Sequence, residues 1–431
     1  MKILIKNGKV ATHQKVGQID ILIKDQKIIK TGRKLRDCEA KVVNATGLII
    51  LPGLIDVHVH LREPGATQKE DFYTGTGAAL AGGVTTIIDM PNNNPTISSK
   101  KALLDKKKMV SSKAVCDYAF YFGATANNQK EAAKVSKDVV GLKIYMGSST
   151  GDLLVADLKA LWEHFQVFPQ DKIIAIHGED EEAIQVYKNT FLKNHNLNRP
   201  PICAALALSK AIALAKLTGH RLHVCHVSTA WEIELIKAAK KEGVKISCEV
   251  TPHHLFLTEK DSFKLGNFGK MNPPLRKKAD VRALWQNLNI IDNIATDHAP
   301  HTKEEKKVVY RQAPSGVPGL ETMLPLLLTA YWQKKISLSE IVRLTSYSPS
   351  HNFGFRQKGE IQVGNDADLV LADLKKRYKI ENGKLKTKCG WSPFNGWKVK
   401  GKLEKVFLRG NLVFNHDQIL VDQGFGKEMI F

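Results

Sequence analysis

The chain has 431 residues, 43% hydrophobic and 25% charged, a balance that excludes collagen, a coiled coil and wholesale disorder. One large domain and a smaller one account for that length. Lysine and arginine number 64 against 43 acidic residues, a formal charge of +21, but the lysines are spread along the chain and no nucleic-acid motif accompanies them. A solvated basic surface is expected, with no nucleic-acid partner.

Met1–Val10 lacks the apolar core and cleavage site of a signal peptide, and no stretch reaches the ~20 apolar residues of a membrane span. A cytoplasmic protein with no membrane partner is expected. Cys38, Cys116, Cys203, Cys225, Cys248 and Cys389 form no CxxC pair, which suits free thiols in a reducing compartment.

Residues 3 to 43 read as short strands. Ile3–Ile5 leads to Asn7-Gly8, Ile19, Ile21 and Ile23 alternate, and Asp25-Gln26 makes a turn before Ile28 and Ile29. This material is too short to bury a core alone. At Leu51-Pro52-Gly53 the texture changes. Eight apolar runs follow: Leu54–Leu61, Val84–Met90, Val115–Phe122, Val139–Met146, Lys172–His177, Arg221–Val227, Lys245–Val250 and Asn293–Asp297. Helical stretches lie between most of them, such as Ala204–Leu217 and Trp231–Lys241. The lysine-rich run Lys100–Lys113, broken by Leu103, Leu104, Met109 and Val110, reads as an amphipathic helix with a wet lysine face. Eight strand–helix units predict an α/β fold, a (β/α)8 TIM-like barrel. No GxGxxG supports the open doubly wound alternative. After about Ser350 the texture is β again, at Gly359–Ile361, Ala367–Leu371 and Val406–Leu408. The two terminal β segments are expected to pair into one small β-sandwich. The expected division is 1–51 and 351–431 for the sandwich, and 52–350 for a metal-dependent hydrolase barrel.

The chemistry gathers at run ends. In Asp56-Val57-His58-Val59-His60 the two histidines share one face of a strand, a spacing that suits a divalent metal. Lys143, His177, His226 and Asp297 stand near the ends of runs four, five, six and eight. Barrel active sites sit at the C-terminal ends of strands, and chance explains five such positions poorly. Lys143 is costly to bury as an ammonium. Reaction of the neutral amine with carbon dioxide gives a carbamate that bridges two cations; the alternative is a lysine whose tip reaches water.

Longer motifs carry a resemblance. DVHVHLREPG (Asp56–Gly65), KEDF (Lys69–Phe72) and GGVTTIIDMPNNNP (Gly82–Pro95) are followed by MNPPLR (Met271–Arg276), TDHAPH (Thr296–His301), APSG (Ala313–Gly316) and CGWSPF (Cys389–Phe394). With GEIQVGNDADLVL (Gly359–Leu371), the chain resembles the class I dihydroorotases of the amidohydrolase superfamily over nearly its whole length. The resemblance implies the barrel and sandwich, and two Zn2+ per subunit. His58, His60 and Asp297 would hold one ion, His177 and His226 the second, with carboxylated Lys143 and a hydroxide between them. Tyr145, Met146 and Gly147 offer no aspartate in place of Lys143 as the bridge. The implied reaction is the reversible cyclisation of N-carbamoyl-L-aspartate to L-dihydroorotate in pyrimidine biosynthesis. Asp297 would be its general base and acid.

Arg62, on the same face as His60, is the residue type that pairs with a substrate carboxylate; a salt bridge to Glu63 is the alternative. By resemblance His60, Asn92, Asn272, His301 and the backbone at Ser315 and Gly316 also contact substrate. Cys225 and Glu249 stand where some relatives hold an additional metal, but a core thiol and a structural carboxylate are expected. Gly147–Gly151 suits a mobile loop over the site; an ordinary connection between strand and helix is the alternative. Dihydropyrimidinase, hydantoinase and allantoinase are the nearest rival activities, and Arg62 opposes them because their substrates are neutral. A non-catalytic partner of aspartate transcarbamoylase is opposed by the full ligand set. The resemblance suggests a homodimer, and leaves open association with aspartate transcarbamoylase.

Overall fold

A computed structural model describes residues 1–149, 153–188 and 195–429. The eight apolar runs become eight parallel strands: β1 (Leu54–Val59), β2 (Val84–Asp89), β3 (Asp117–Gly123), β4 (Gly141–Tyr145), β5 (Ile173–His177), β6 (Arg221–Val224), β7 (Ile246–Val250) and β8 (Asn293–Ile294). They pair in chain order. The ring is closed just beyond β8, where Val59 bridges His298 and the His60 N–H donates to the His298 carbonyl at 2.8 Å. Every residue of β1 to β5 is buried, as expected for strands covered on both faces.

Outer helices supply the cover. Pro201–Thr218 turns Ala207, Leu208, Ala211 and Ala215 into the core and ends at Gly219 in the left-handed conformation. The stretch His195–Thr218 is apolar and long enough to match a membrane span, contrary to the expectation that none would be. Its many alanines give it that hydropathy, and the fold uses them for close packing on the barrel.

The helix Lys100–Ser111 starts at Ser99, whose hydroxyl caps the Ala102 N–H at 3.2 Å. Leu103 and Val110 are buried, but the wet lysine face fails at Lys106. That side chain lies beneath the helix, with Nζ bonded to Asp89 at the end of β2 and to Asn93 Oδ1 at 2.8 Å. Period alone could not distinguish a buried lysine whose partner lies elsewhere in the chain.

Both terminal segments build the sandwich. One sheet orders Lys27–Gly32, Asp20–Lys24, Lys2–Lys6 and Lys41–Asn44; Ile3 faces Ile23 and Ile5 faces Ile21. The seven-stranded sheet joins Ile49–Pro52 to Leu369–Lys379, with Leu51 opposite Val370, and continues through Lys398–Leu408. Ile5, Ile21, Ile50, Leu369, Leu371 and Phe407 form the core shared by the two sheets. Gly359–Ile361 is not a strand: Gly359 takes a left-handed φ of 82°, which breaks the extended chain, and Ile361 packs against the sandwich core from a loop. At the foot of the barrel, Asp117 accepts from Lys358 Nζ at 2.8 Å and from Arg409, while Lys358 also reaches Asp368 at 2.6 Å. This buried network ties the C-terminal segment to β3.

Candidate active site

The predicted residues come together at the C-terminal mouth of the barrel. His58 lies in β1, Lys143 in the middle of β4, and His177 ends β5. His226 and Asp297 follow β6 and β8, and Arg62 follows β1. These three take left-handed φ values of 38°, 47° and 61°. Non-glycine residues are rare there, and each such position costs about 1–3 kcal/mol. Three of the positive-φ non-glycine residues thus lie at this rim, and the others, such as Asn7, Asp25 and Lys334, lie away from it.

Three ligand atoms form a compact triangle. His60 Nε2 stands 3.3 Å from His58 Nε2 and 3.0 Å from Asp297 Oδ1, which is 3.3 Å from His58 Nε2. Ligands of one tetrahedral zinc at ~2.0–2.1 Å stand roughly 3.3 Å apart, so this triangle fits such an ion. Across the cavity His177 Nδ1 faces His226 Nε2 at 2.8 Å. That pair would open by about 0.5 Å to share an ion. The outer nitrogens are held in turn. Asn92 Oδ1 accepts from His60 Nδ1 at 2.6 Å, Glu249 from His58 Nδ1, and Glu179 Oε2 from His177 Nε2 at 3.1 Å. Each of these three imidazoles therefore turns its other nitrogen inward.

The charges suit a cation. Burial lowers His60 to about 4 and pushes His226 well below its ordinary value, which keeps both neutral as ligands must be. Burial alone would lift Asp297, but His58 and His60 hold it well below the usual carboxylate range. Burial also opposes charge on His58, yet Glu249 and Asp297 outweigh it and raise that ring.

Lys143 is fully buried, and its Nζ reaches Cys225 Sγ at 3.0 Å. Among the described residues no carboxylate lies within 4 Å of it. The water-reaching alternative does not hold for this side chain. Cys225 and Glu249, expected to be structural, gather with His58 as a second set of three buried donors within 4.8 Å.

Beside the histidines lies a corner suited to an anion. Arg62 Nε donates to the Pro300 carbonyl at 3.0 Å, and Nη2 is 3.3 Å from His301 Nε2. The alternative pairing with Glu63 is absent, since Glu63 binds Lys113 and the Phe72 N–H. Burial and the neighbouring Arg62 lower His301 to about 3, so it adds no charge of its own. Asn92, Asn272, Ser315 and Gly316 line the same cavity as Arg62 and the histidines. Gly316 has φ 139°, and a Cβ there would stand 2.5 Å from the Ala299 carbonyl oxygen. Its N–H is already committed to the Lys270 carbonyl at 3.0 Å.

Residues 49–413 match the Amidohydrolase family. The chain belongs to that family. It is 38% identical over 98% of its length to a dihydroorotase of Methanosarcina acetivorans, covering 94% of that protein. It is 40% identical over 89% of its length to the multifunctional protein CAD of Squalus acanthias, of which it spans 16%. A solved L-hydantoinase (dihydropyrimidinase) from Arthrobacter aurescens superposes with a TM-score of 0.96 at 32% identity, covering 100% of this chain and 99% of that one.

Several residues of this amidohydrolase site went unread in the sequence. Tyr145 and Ala299 line the cavity, beside Ser149 of the loop already noted, and the Tyr145 hydroxyl is buried with no partner among the described residues. His195 holds Asn272 Oδ1 at 2.8 Å. Glu179 had the same signal as His58 and His60, a polar residue two past a ligand. Of the loop Gly147–Gly151, Thr150 and Gly151 lie outside the described residues. Ser148 donates to Glu181 through both its N–H and its hydroxyl, each at 2.6 Å.

Proposed function

We propose that this amidohydrolase is a dihydroorotase, interconverting N-carbamoyl-L-aspartate and L-dihydroorotate in pyrimidine biosynthesis. The observation that carries this reading is Arg62. It is a buried guanidinium in the wall of the catalytic cavity, and no carboxylate among the described residues lies within 4 Å of it. The free carboxylate of dihydroorotate completes it; a neutral hydantoin leaves it unpaired. The hydantoinase rival rests on a fold and a 32% identity that accompany membership of the same family, and its neutral substrate leaves Arg62 without an anion.

Two zinc ions per subunit are proposed, one at His58, His60 and Asp297 and one at His177 and His226. When bound, they supply Lewis acidity for the ring carbonyl and lower the pKa of water toward ~7. As a carbamate, Lys143 would supply an oxygen ligand to each ion: its amine loses a proton and adds carbon dioxide, which removes a fully buried ammonium. Arg62, Asn92 and His301 fix the substrate carboxylate, with Asn272, Ser315 and Gly316 around the ring. Asp297 takes a proton from the attacking water and returns it to the leaving ring nitrogen. The same reading takes the protein as a cytoplasmic homodimer, leaves association with aspartate transcarbamoylase open, and divides the chain into 1–51 with 351–431 and 52–350.

The test is metal content and dihydroorotate hydrolysis, measured for the native chain and for Lys143→Ala with and without short carboxylic acids. Two metals, activity, loss in the variant and partial rescue by the acids are expected. Turnover of dihydrouracil, hydantoin or allantoin in preference to dihydroorotate would move the substrate to the rival. Full activity of Lys143→Ala would remove the bridge.

A further inference from the structure

Behind His177, on the side away from the cavity, lies a chain of buried contacts that the reaction does not require. Glu179 is wholly buried, and its Oε2 accepts from His177 Nε2 and from Arg199 Nη1. Arg276 stands 4.0 Å from the other carboxylate oxygen and donates to the Arg199 carbonyl. Arg199 is itself only 7% exposed. Its other arm, Nη2, donates to the Ser148 carbonyl. Ser148 belongs to the loop that leaves β4, and the next residue, Ser149, lines the catalytic cavity. One guanidinium therefore spans the carboxylate that orients a candidate ligand and the backbone of a loop over the site.

We propose that Arg199 is a positioning residue that couples occupancy of the His177–His226 position to the placement of Gly147–Ser149. This rests on the metal reading above. A cation at His177 Nδ1 makes the opposite N–H a stronger donor and fixes Glu179. The guanidinium is a rigid planar fork, so an arm held by Glu179 sets the arm that holds the Ser148 carbonyl. The Glu181 carboxylate holds Ser148 from the other side, so the loop answers to Arg199 without coming free. A lysine at this position keeps the charge beside Glu179 but reaches only one of the two acceptors.

The full chain is stripped of metal, titrated with zinc against a competing chromogenic chelator, and followed by amide hydrogen exchange with and without zinc. In the native chain zinc is expected to slow exchange both in β5 and at Gly147–Ser149. Arg199→Lys is expected to keep zinc affinity within about threefold and zinc-dependent protection in β5, and to lose that protection at Gly147–Ser149. Glu179→Gln, which retains the volume of the side chain, is expected to weaken one zinc equivalent by roughly 10–100-fold and leave the other unchanged. Undiminished loop protection in Arg199→Lys would overturn the coupling. So would a native chain that binds zinc without protecting the loop. A native chain that binds no zinc would overturn both this inference and the metal reading.

Discussion

Arg62 shows how much one side chain decides. Its neighbours in the cavity are histidines that any cyclic amidohydrolase could use, whereas a buried cation with no carboxylate beside it among the described residues supports the proposed anionic substrate. Arg62→Met is expected to lower kcat/KM for dihydroorotate by roughly 10–150-fold, the worth of a charge-assisted hydrogen bond at about 1.5–3 kcal/mol. Steady-state kinetics would show the loss; an unchanged kcat/KM would remove Arg62 from substrate binding. The candidate site was legible where ligand types recur at run ends, so His58, His60, Lys143, His177, His226 and Asp297 could be read directly. Glu249 and Cys225 were seen but assigned to structure, because a carboxylate and a thiol have ordinary core uses. Their grouping with His58 depends on barrel closure, which lets side chains from the ends of β6 and β7 meet that of β1 across the barrel interior, in a way no local spacing encodes.

At the scale of elements, all eight barrel strands were legible as apolar runs; Gly359–Ile361 failed for a local reason, a left-handed glycine, and Lys106 because its partner is remote. Lys106 looked like one more wet lysine until the Asp89 carboxylate was placed under its helix. Lys106→Met leaves that buried carboxylate without its cation, beside the Leu61 N–H at 2.8 Å, and is expected to cost about 3 kcal/mol in a denaturant titration. A change below 0.5 kcal/mol would mean the pair contributes little. The segment around Lys386 depends on Glu321, whose carboxylate accepts from the Lys386 and Thr387 N–H groups at 2.8–2.9 Å. Burial raises Glu321 to about 7, above its unfolded value near 4.5. The folded chain therefore binds the extra proton, and stability is expected to fall as pH rises from about 4.5 to 7, then level off. Glu321→Gln should flatten that part of the stability–pH curve by roughly 1–3 kcal/mol; a profile matching the native chain would assign the slope to other groups.

The whole molecule is held together at the barrel foot. Asp117 on β3 joins Lys358 and Arg409 from the C-terminal segment, all nearly buried. Asp117→Asn is expected to destabilise the chain by about 3 kcal/mol and to split its calorimetric transition into separate barrel and sandwich steps. One sharp transition in the variant would show that the shared apolar core suffices as the link. The seven-stranded sheet also has a consequence in time. Leu51 pairs with Val370, which leaves the ribosome roughly 320 residues later. At about 5–20 residues per second, the first strands wait roughly 16–64 s with their pairing edge open. Through that interval the nascent chain carries an unfinished apolar sheet that chaperones, or neighbouring nascent chains, can reach first.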